Sequence, residues 1–160
     1  MALLTSGLRL SRCSRVCILE RVNPTVLDLS FNRFIGLQGA DEPHLLRLPA
    51  SERYLNHIGT VHASALVALA EASSGEFLLR HVGQVEGIIP VVRRLESKFR
   101  KPAHGAVTSS VTTKPELLDE LRRYLAAKGR ALISIAVELH DQSGEHVLSA
   151  TVDWFIAKAS

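Results

Sequence analysis

Between Tyr54 and Glu71 the chain changes character halfway, and few folds accommodate the change. Asn56 to His62 is polar and broken by Gly59, which reads as an ordered loop. From Val61 to about Leu79 there is no proline and most residues favour helix, so one long helix is expected. Leu66, Leu69, Ala70, Phe77 and Leu78 form an apolar stripe near helical spacing. Most of the remaining surface is small, with Ala63, Ser64, Ala65, Ala68, Ala72, Ser73, Ser74 and Gly75. So thin a helix lets other backbone approach closely, as a helix wrapped by a sheet requires. Glu71 is the only acid between Glu52 and Glu76. On a buried helix such a carboxylate must be paired, protonated or functional.

The remaining segments supply a sheet for that helix. Phe34-Ile35-Gly36-Leu37 and Leu45-Leu46-Arg47-Leu48 flank a turn-rich Gly39–Pro43, which predicts a hairpin. Pro24 suits the opening of a short helix over Thr25 to Ser30. After the long helix, Ile88–Phe99 is expected to alternate, with Ile89, Val91, Leu95 and Phe99 opposite Arg94, Glu96, Lys98 and Arg100. Gly105–Thr113 reads as a polar β-branched strand. Arg130–His140 points Ala131, Ile133, Ile135, Val137 and Leu139 inward, and His146–Ala157 does the same with Val152, Trp154 and Ile156. Asp141-Gln142-Ser143-Gly144 is a tight-turn signal between them. One helix interrupts the series over 115–128, with a capping-box pattern at Thr113–Glu116 and a stop at Gly129. The expected class is α+β, a long central helix wrapped by an antiparallel sheet of five to six strands. Residues 23–160 read as one domain. Residues 1–22, rich in arginine and without an acid before Glu20, read as a poorly ordered extension or an organellar targeting segment.

Composition excludes more than it identifies. A net charge of +3 with no dense basic run interleaved with aromatics argues against a nucleic-acid partner. No apolar run reaches the roughly 18 residues of a membrane span. Cys13 and Cys17 make neither a disulfide framework nor a zinc quartet, so a reduced, cytoplasmic setting is the default. His81, His104, His140 and His146 have no metal-ligand spacing, and no metal is expected.

Asn56-x-x-Gly59-x-x-His62-Ala63-Ser64, with Glu71 eight residues after Ala63, resembles the hotdog-fold acyl-CoA thioesterases, in particular the phenylacetate-pathway type. Their pattern is Asn-x-x-Gly-x-x-His-Gly-Gly with an Asp or Glu eight residues after the first Gly. The resemblance spans about residues 30–158 and departs where Gly-Gly is Ala63-Ser64 and where the 115–128 helix stands. It implies a hotdog fold and thioester hydrolysis of a fatty or aromatic acyl-CoA, with no cofactor beyond the coenzyme A of the substrate. It implies paired sites at a homodimer interface, often within a dimer of dimers. Asn56 then sits where the family helps hold the carbonyl or the water, and His62 at the helix start, bonding the loop or touching the thioester. Gly59 belongs to the same loop, Ala63 needs only its N–H, and Ser64 narrows the acyl slot.

The chemistry fits those positions. Unpaired N–H groups at a helix N-terminus can polarise a carbonyl. A carboxylate in an apolar site can act as general base or nucleophile, and Glu71 is the candidate. Eight helical residues put Ala63 and Glu71 about 12 Å apart along the axis, so one thioester cannot bridge them within a chain. Two antiparallel helices across a two-fold axis would bring Ala63 of one copy to Glu71 of the other. Arg93, Arg94, Lys98, Arg100 and Lys101 suit coenzyme A phosphates or simply a solvated strand face. Asn56 also reads as a turn residue, and His62 as a cap. The 115–128 helix could lid an acyl tunnel or join dimers. A non-catalytic acyl-CoA-binding protein and a hotdog hydratase or dehydratase are the competing functions.

Overall fold

The computed structural model describes residues 25–82, 87–114 and 116–158. Its centre is α2 (Ala63–Val82), a helix of 20 residues that crosses one face of a six-stranded antiparallel sheet. The sheet order is β1 (Gln38–Gly39), β2 (Leu46–Leu48), β4 (Val107–Val111), β5 (Arg130–Asp141), β6 (His146–Lys158) and β3 (Ile88–Phe99). The small residues of α2 allow the close approach. Ala70, Ala72, Ser73, Ser74 and Gly75 are all buried. A Cβ on Gly75 would lie 3.3 Å from Val26 Cγ1 and 3.5 Å from the Trp154 ring. Buried hydroxyls are satisfied across the same contact. Ser73 and Ser109 share a hydrogen bond of 2.7 Å, and Trp154 Nε1 donates to Ser74 Oγ at 3.0 Å. The inward set of β5 and β6 (Ile135, Val137, Leu139, Val152, Ile156) is buried against α2, as the alternation predicts.

The expected sides of β3 are corrected by a bulge. Its register to β6 shifts between Val92 and Arg94, with Arg93 as the extra residue. Ile89 and Val91 therefore share the outer face with Arg94, Glu96 and Lys98, opposite Ala157, Phe155, Asp153, Thr151 and Ser149. Leu95 and Phe99 fall on the inner face with Pro90 and Val92. One inserted residue exchanges the faces because side-chain period is two.

The predicted hairpin before α2 exists as β1 and β2 but is much shorter on its first side. Phe34 and Ile35 belong instead to α1 (Ser30–Ile35), which Gly36 ends at φ 71°. The short helix expected over Thr25–Ser30 is a 3₁₀ turn at Val26–Asp28, capped by the Thr25 hydroxyl. α3 (Glu116–Lys128) buries Leu118, Leu121 and Leu125. The Thr113 hydroxyl accepts from the Ala136 N–H at 2.9 Å, and no cap bond from it to α3 is found among the described residues. The expectations for residues 1–22, Pro24 and Pro115 lie outside the described residues.

Candidate active site

The loop before α2 is built by Asn56. Its Oδ1 accepts from the N–H groups of Ile58 (3.0 Å) and Thr60 (3.1 Å), and its Nδ2 donates to Thr60 Oγ1 (2.8 Å). A two-way closure follows in the backbone, where Asn56 N–H donates to Thr60 O at 2.8 Å. Gly59 sits at φ 77°, the left-handed region that a side chain makes costly. The Asn56 side chain is thus spent largely on shaping the loop.

That loop delivers His62 as the residue preceding α2. The His62 N–H donates to Tyr54 O at 2.7 Å, and its Nδ1 accepts from the Ser64 N–H at 3.1 Å. Accepting there puts the neutral ring's proton on Nε2. The cap satisfies Ser64 but leaves Ala63, whose N–H has no partner among the described residues. Ala63 lines a shallow cavity of about 320 Å³. Val61, Leu66 and Phe99 make its apolar wall and Asn56 borders it, while Arg100 and Lys101 also line it with their charged ends engaged by Ser149 and Glu145.

Glu71 lies about two turns further along, roughly 12 Å from Ala63 by helical rise. It is half-buried, and its carboxyl makes no hydrogen bond or ion pair among the described residues, although its backbone carbonyl accepts from Ser74 Oγ at 2.7 Å. Burial pushes its carboxyl above the ordinary glutamate range. Ser64, Val67, Ala68 and Glu71 follow i, i+3, i+4, i+7 spacing, and none is buried. Gly75, one turn beyond Glu71, meets Trp154, which pairs across the sheet with Val92 of β3. That face of α2 therefore looks toward the β3 edge of the sheet.

The fold thus gathers Asn56, Ala63 and Arg100 at one cavity and leaves Glu71 elsewhere on the protomer. Arg94 and Lys98 are on the outer sheet face, away from α2, and Arg94 is ion-paired with Glu96. Arg100 donates to Ser149 Oγ (3.2 Å from Nη2), and Lys101 pairs with Glu145. The sequence reading missed Phe99 and Thr60 as site residues. It also passed over Glu76, which like Asp141 is a buried acid. Glu76 accepts from Thr25 Oγ1 (2.9 Å), Val26 N–H (3.1 Å) and Arg80 Nε (3.0 Å), so it ties the N-terminal segment to α2. The i,i+4 spacing of Glu76 and Arg80 was the available signal.

A long helix wrapped by this antiparallel sheet, opened by an Asn-Gly loop, is the hotdog fold of the thioesterase superfamily. The chain belongs to the family described as a domain of unknown function (DUF4442), whose profile matches residues 40–156. A protein of unknown function from Pseudomonas aeruginosa, described as a probable thioesterase, superposes with a TM-score of 0.70 at 27% identity, over 83% of this chain and 91% of its own. A Haemophilus influenzae thioesterase gives 0.60 at 14% identity, over 83% and 86%. A Bacillus halodurans protein crystallised with CoA gives 0.53 at 18% identity, over 69% of this chain and 65% of its own. No curated protein matches the sequence. No helix among the described residues is long and apolar enough to cross a membrane.

Proposed function

We propose that this protein is an acyl-CoA thioesterase whose site is completed by a second copy of the chain. The observation that carries the reading is a separated pair of unmet groups, an unpaired N–H at Ala63 and an unpaired, half-buried carboxyl at Glu71. Neither does anything for the fold, and together they supply what thioester hydrolysis needs. Among the described residues β3 ends the sheet, bonded only to β6, and its open edge invites a second β3 about a two-fold axis. Such pairing would set the Ser64–Glu71 face of each α2 against the neighbour.

In that arrangement the thioester carbonyl oxygen accepts from the Ala63 N–H of one copy. Glu71 of the other takes a proton from a water as that water attacks the carbonyl carbon. The tetrahedral intermediate then collapses, the C–S bond breaks, and Glu71 returns the proton to the departing thiolate. Direct attack by the Glu71 carboxylate, through an anhydride that water then opens, is the covalent variant of the same assignment. Asn56 and Gly59 hold the loop, His62 sets the helix start, and Ser64 bounds the acyl slot. Arg100 lines the Ala63 cavity and would meet a coenzyme A phosphate there by releasing the Ser149 hydroxyl, while Arg94 and Lys98 lie on the outer sheet face. The CoA-bound relative supports this ligand class. The setting in this reading is the cytoplasm.

Glu71→Gln tests it. The variant should fold normally and lose about 10²-fold or more in hydrolysis across a panel of fatty and aromatic acyl-CoAs. Full rate in the folded variant would remove Glu71 from the chemistry. A binding-only protein is the second reading, favoured by the Ala63-Ser64 departure. Calorimetric binding of acyl-CoA without product would select it.

A further inference from the structure

Strand pairing sets one row of side chains across the outer face of the sheet. Arg47 of β2 stands opposite Thr108 of β4, and Thr108 opposite His140 of β5. Opposite residues share a face. Arg47 lies between the fully buried Leu46 and Leu48, so the row points away from α2. It lines a cavity of about 840 Å³, walled by the segment from Gly39 to Pro43 on one side and by Gln142 and Gly144 on the other. Several polar groups there are unspent. The Arg47 guanidinium, the Ser110 hydroxyl and the His140 ring nitrogens make no hydrogen bond or ion pair among the described residues. His140 is held instead by its stack on His146, with ring centroids 5.1 Å apart. His44 lines the same cavity, and its Nδ1 is shut off from solvent without a partner. A buried polar atom left so costs stability unless something meets it.

The lining selects the ligand. It contains no Leu, Ile, Val or Phe, so an acyl chain finds no wall here, in contrast to the Ala63 cavity. No group of three His, Cys, Asp or Glu among the described residues is arranged to hold a metal ion. Two of the three acids at the cavity are already engaged. Asp141 accepts from the Ser143 hydroxyl and from three backbone N–H groups, and Glu42 pairs with Arg80 at 3.6 Å. Asp41 alone is left over. A guanidinium, two imidazoles and a hydroxyl facing one space suit an oxyanion, and the guanidinium fork matches a phosphate. We infer that this cavity binds a phosphorylated small molecule bearing hydroxyl groups, with Arg47 and His140 on the phosphate and Asp41 accepting from a hydroxyl. The volume is that of a small-molecule site. No lining residue is shared with the Ala63 cavity, and the inference stands whether or not the protein hydrolyses thioesters. Two sources carry this chemistry, a free nucleotide or sugar phosphate and the nucleotide end of coenzyme A.

Calorimetric titration of the whole chain with AMP, and separately with inorganic phosphate, tests it. Wild type should bind AMP saturably at one site per chain and phosphate more weakly. Arg47→Gln and His140→Gln should each weaken AMP about tenfold or more, and Arg100→Ala should leave it unchanged. Arg47 is exposed, so its variant should keep the wild-type circular dichroism, and it reads the site if His140→Gln folds poorly. Coenzyme A added to the AMP complex separates the two sources. Displacement of AMP with the same dependence on Arg47 assigns the site to the nucleotide end of coenzyme A, and retention of AMP assigns it to a free phosphorylated ligand. Either result sustains the site. Absence of saturable binding by both probes, or an affinity unchanged in Arg47→Gln, would overturn the inference, as would loss of AMP binding in Arg100→Ala.

Discussion

Reciprocity between copies can be tested without a structure of the assembly. Ala63→Pro removes one N–H and little else. Proline is well tolerated at the first helical position, where the N–H is unpaired in any case. Glu71→Gln keeps the size of the side chain, removes the charge, and breaks no bond seen among the described residues. Each homodimer should then be inactive, one for want of a carbonyl donor and the other for want of a base. A base is worth about 10²–10⁴-fold, or roughly 3–5 kcal/mol of barrier. Mixed by co-expression or refolding at equal amounts, the chains should pair at random. About half of the dimers are then hybrids, and each hybrid holds one doubly damaged site and one intact site. The mixture should therefore recover about a quarter of the wild-type rate per active-site equivalent, measured by release of free thiol from an acyl-CoA. No such recovery is available if Ala63 and Glu71 serve the same chain, since every site then carries one lesion. A mixture whose hybrids are confirmed by mass spectrometry, and which stays as inactive as its components, would refute the shared site.

Three further outcomes follow from the same geometry. Because burial raises the Glu71 carboxyl, wild-type hydrolysis should rise with pH through a midpoint above the ordinary glutamate range, and the stability effect has the opposite sign. A raised folded pKa favours the protonated form, so its contribution is full below the unfolded pKa and lost as pH rises through the folded one. Glu71→Gln should therefore melt no lower than wild type at neutral pH, and a clear loss of Tm there would indicate a structural acid. Asp141 runs the other way. Burial alone would raise its carboxyl, but hydrogen bonds from the Ser143 hydroxyl and from the N–H groups of His104, Ser143 and Glu145 outweigh that and lower it. Its contribution is present above the unfolded pKa and lost as pH falls through the folded one. Asp141→Ala should cost about 2 kcal/mol at neutral pH and less in acid, read by urea unfolding at both pH values. Arg100→Ala should raise KM for acyl-CoA several-fold with little change in kcat. It should leave thioesters of a short thiol lacking the nucleotide unaffected, and an equal effect on both carriers would exclude a phosphate contact.

The extents of α2, α3, β3, β5 and β6 were legible because each rests on a long local period that burial enforces. What escaped was set by single residues. A bulge at Arg93 leaves no mark in an alternating pattern, yet it moves Ile89 and Val91 to the outer face and Leu95 and Phe99 to the inner. Gly36 stops α1 and turns Phe34 and Ile35 from strand to helix. The candidate site divides along the same line. Asn56, Gly59, His62 and Ala63 are close in sequence, and local hydrogen bonds alone bring them together, so a motif could find them. Arg100 reaches the Ala63 cavity through strand pairing, and Arg94 and Lys98 are denied it by a register that no spacing rule reveals. Glu71 is the instructive case. Its sequence position is informative only because eight residues of helix are too long for one thioester, so what a single chain keeps apart becomes an argument for two.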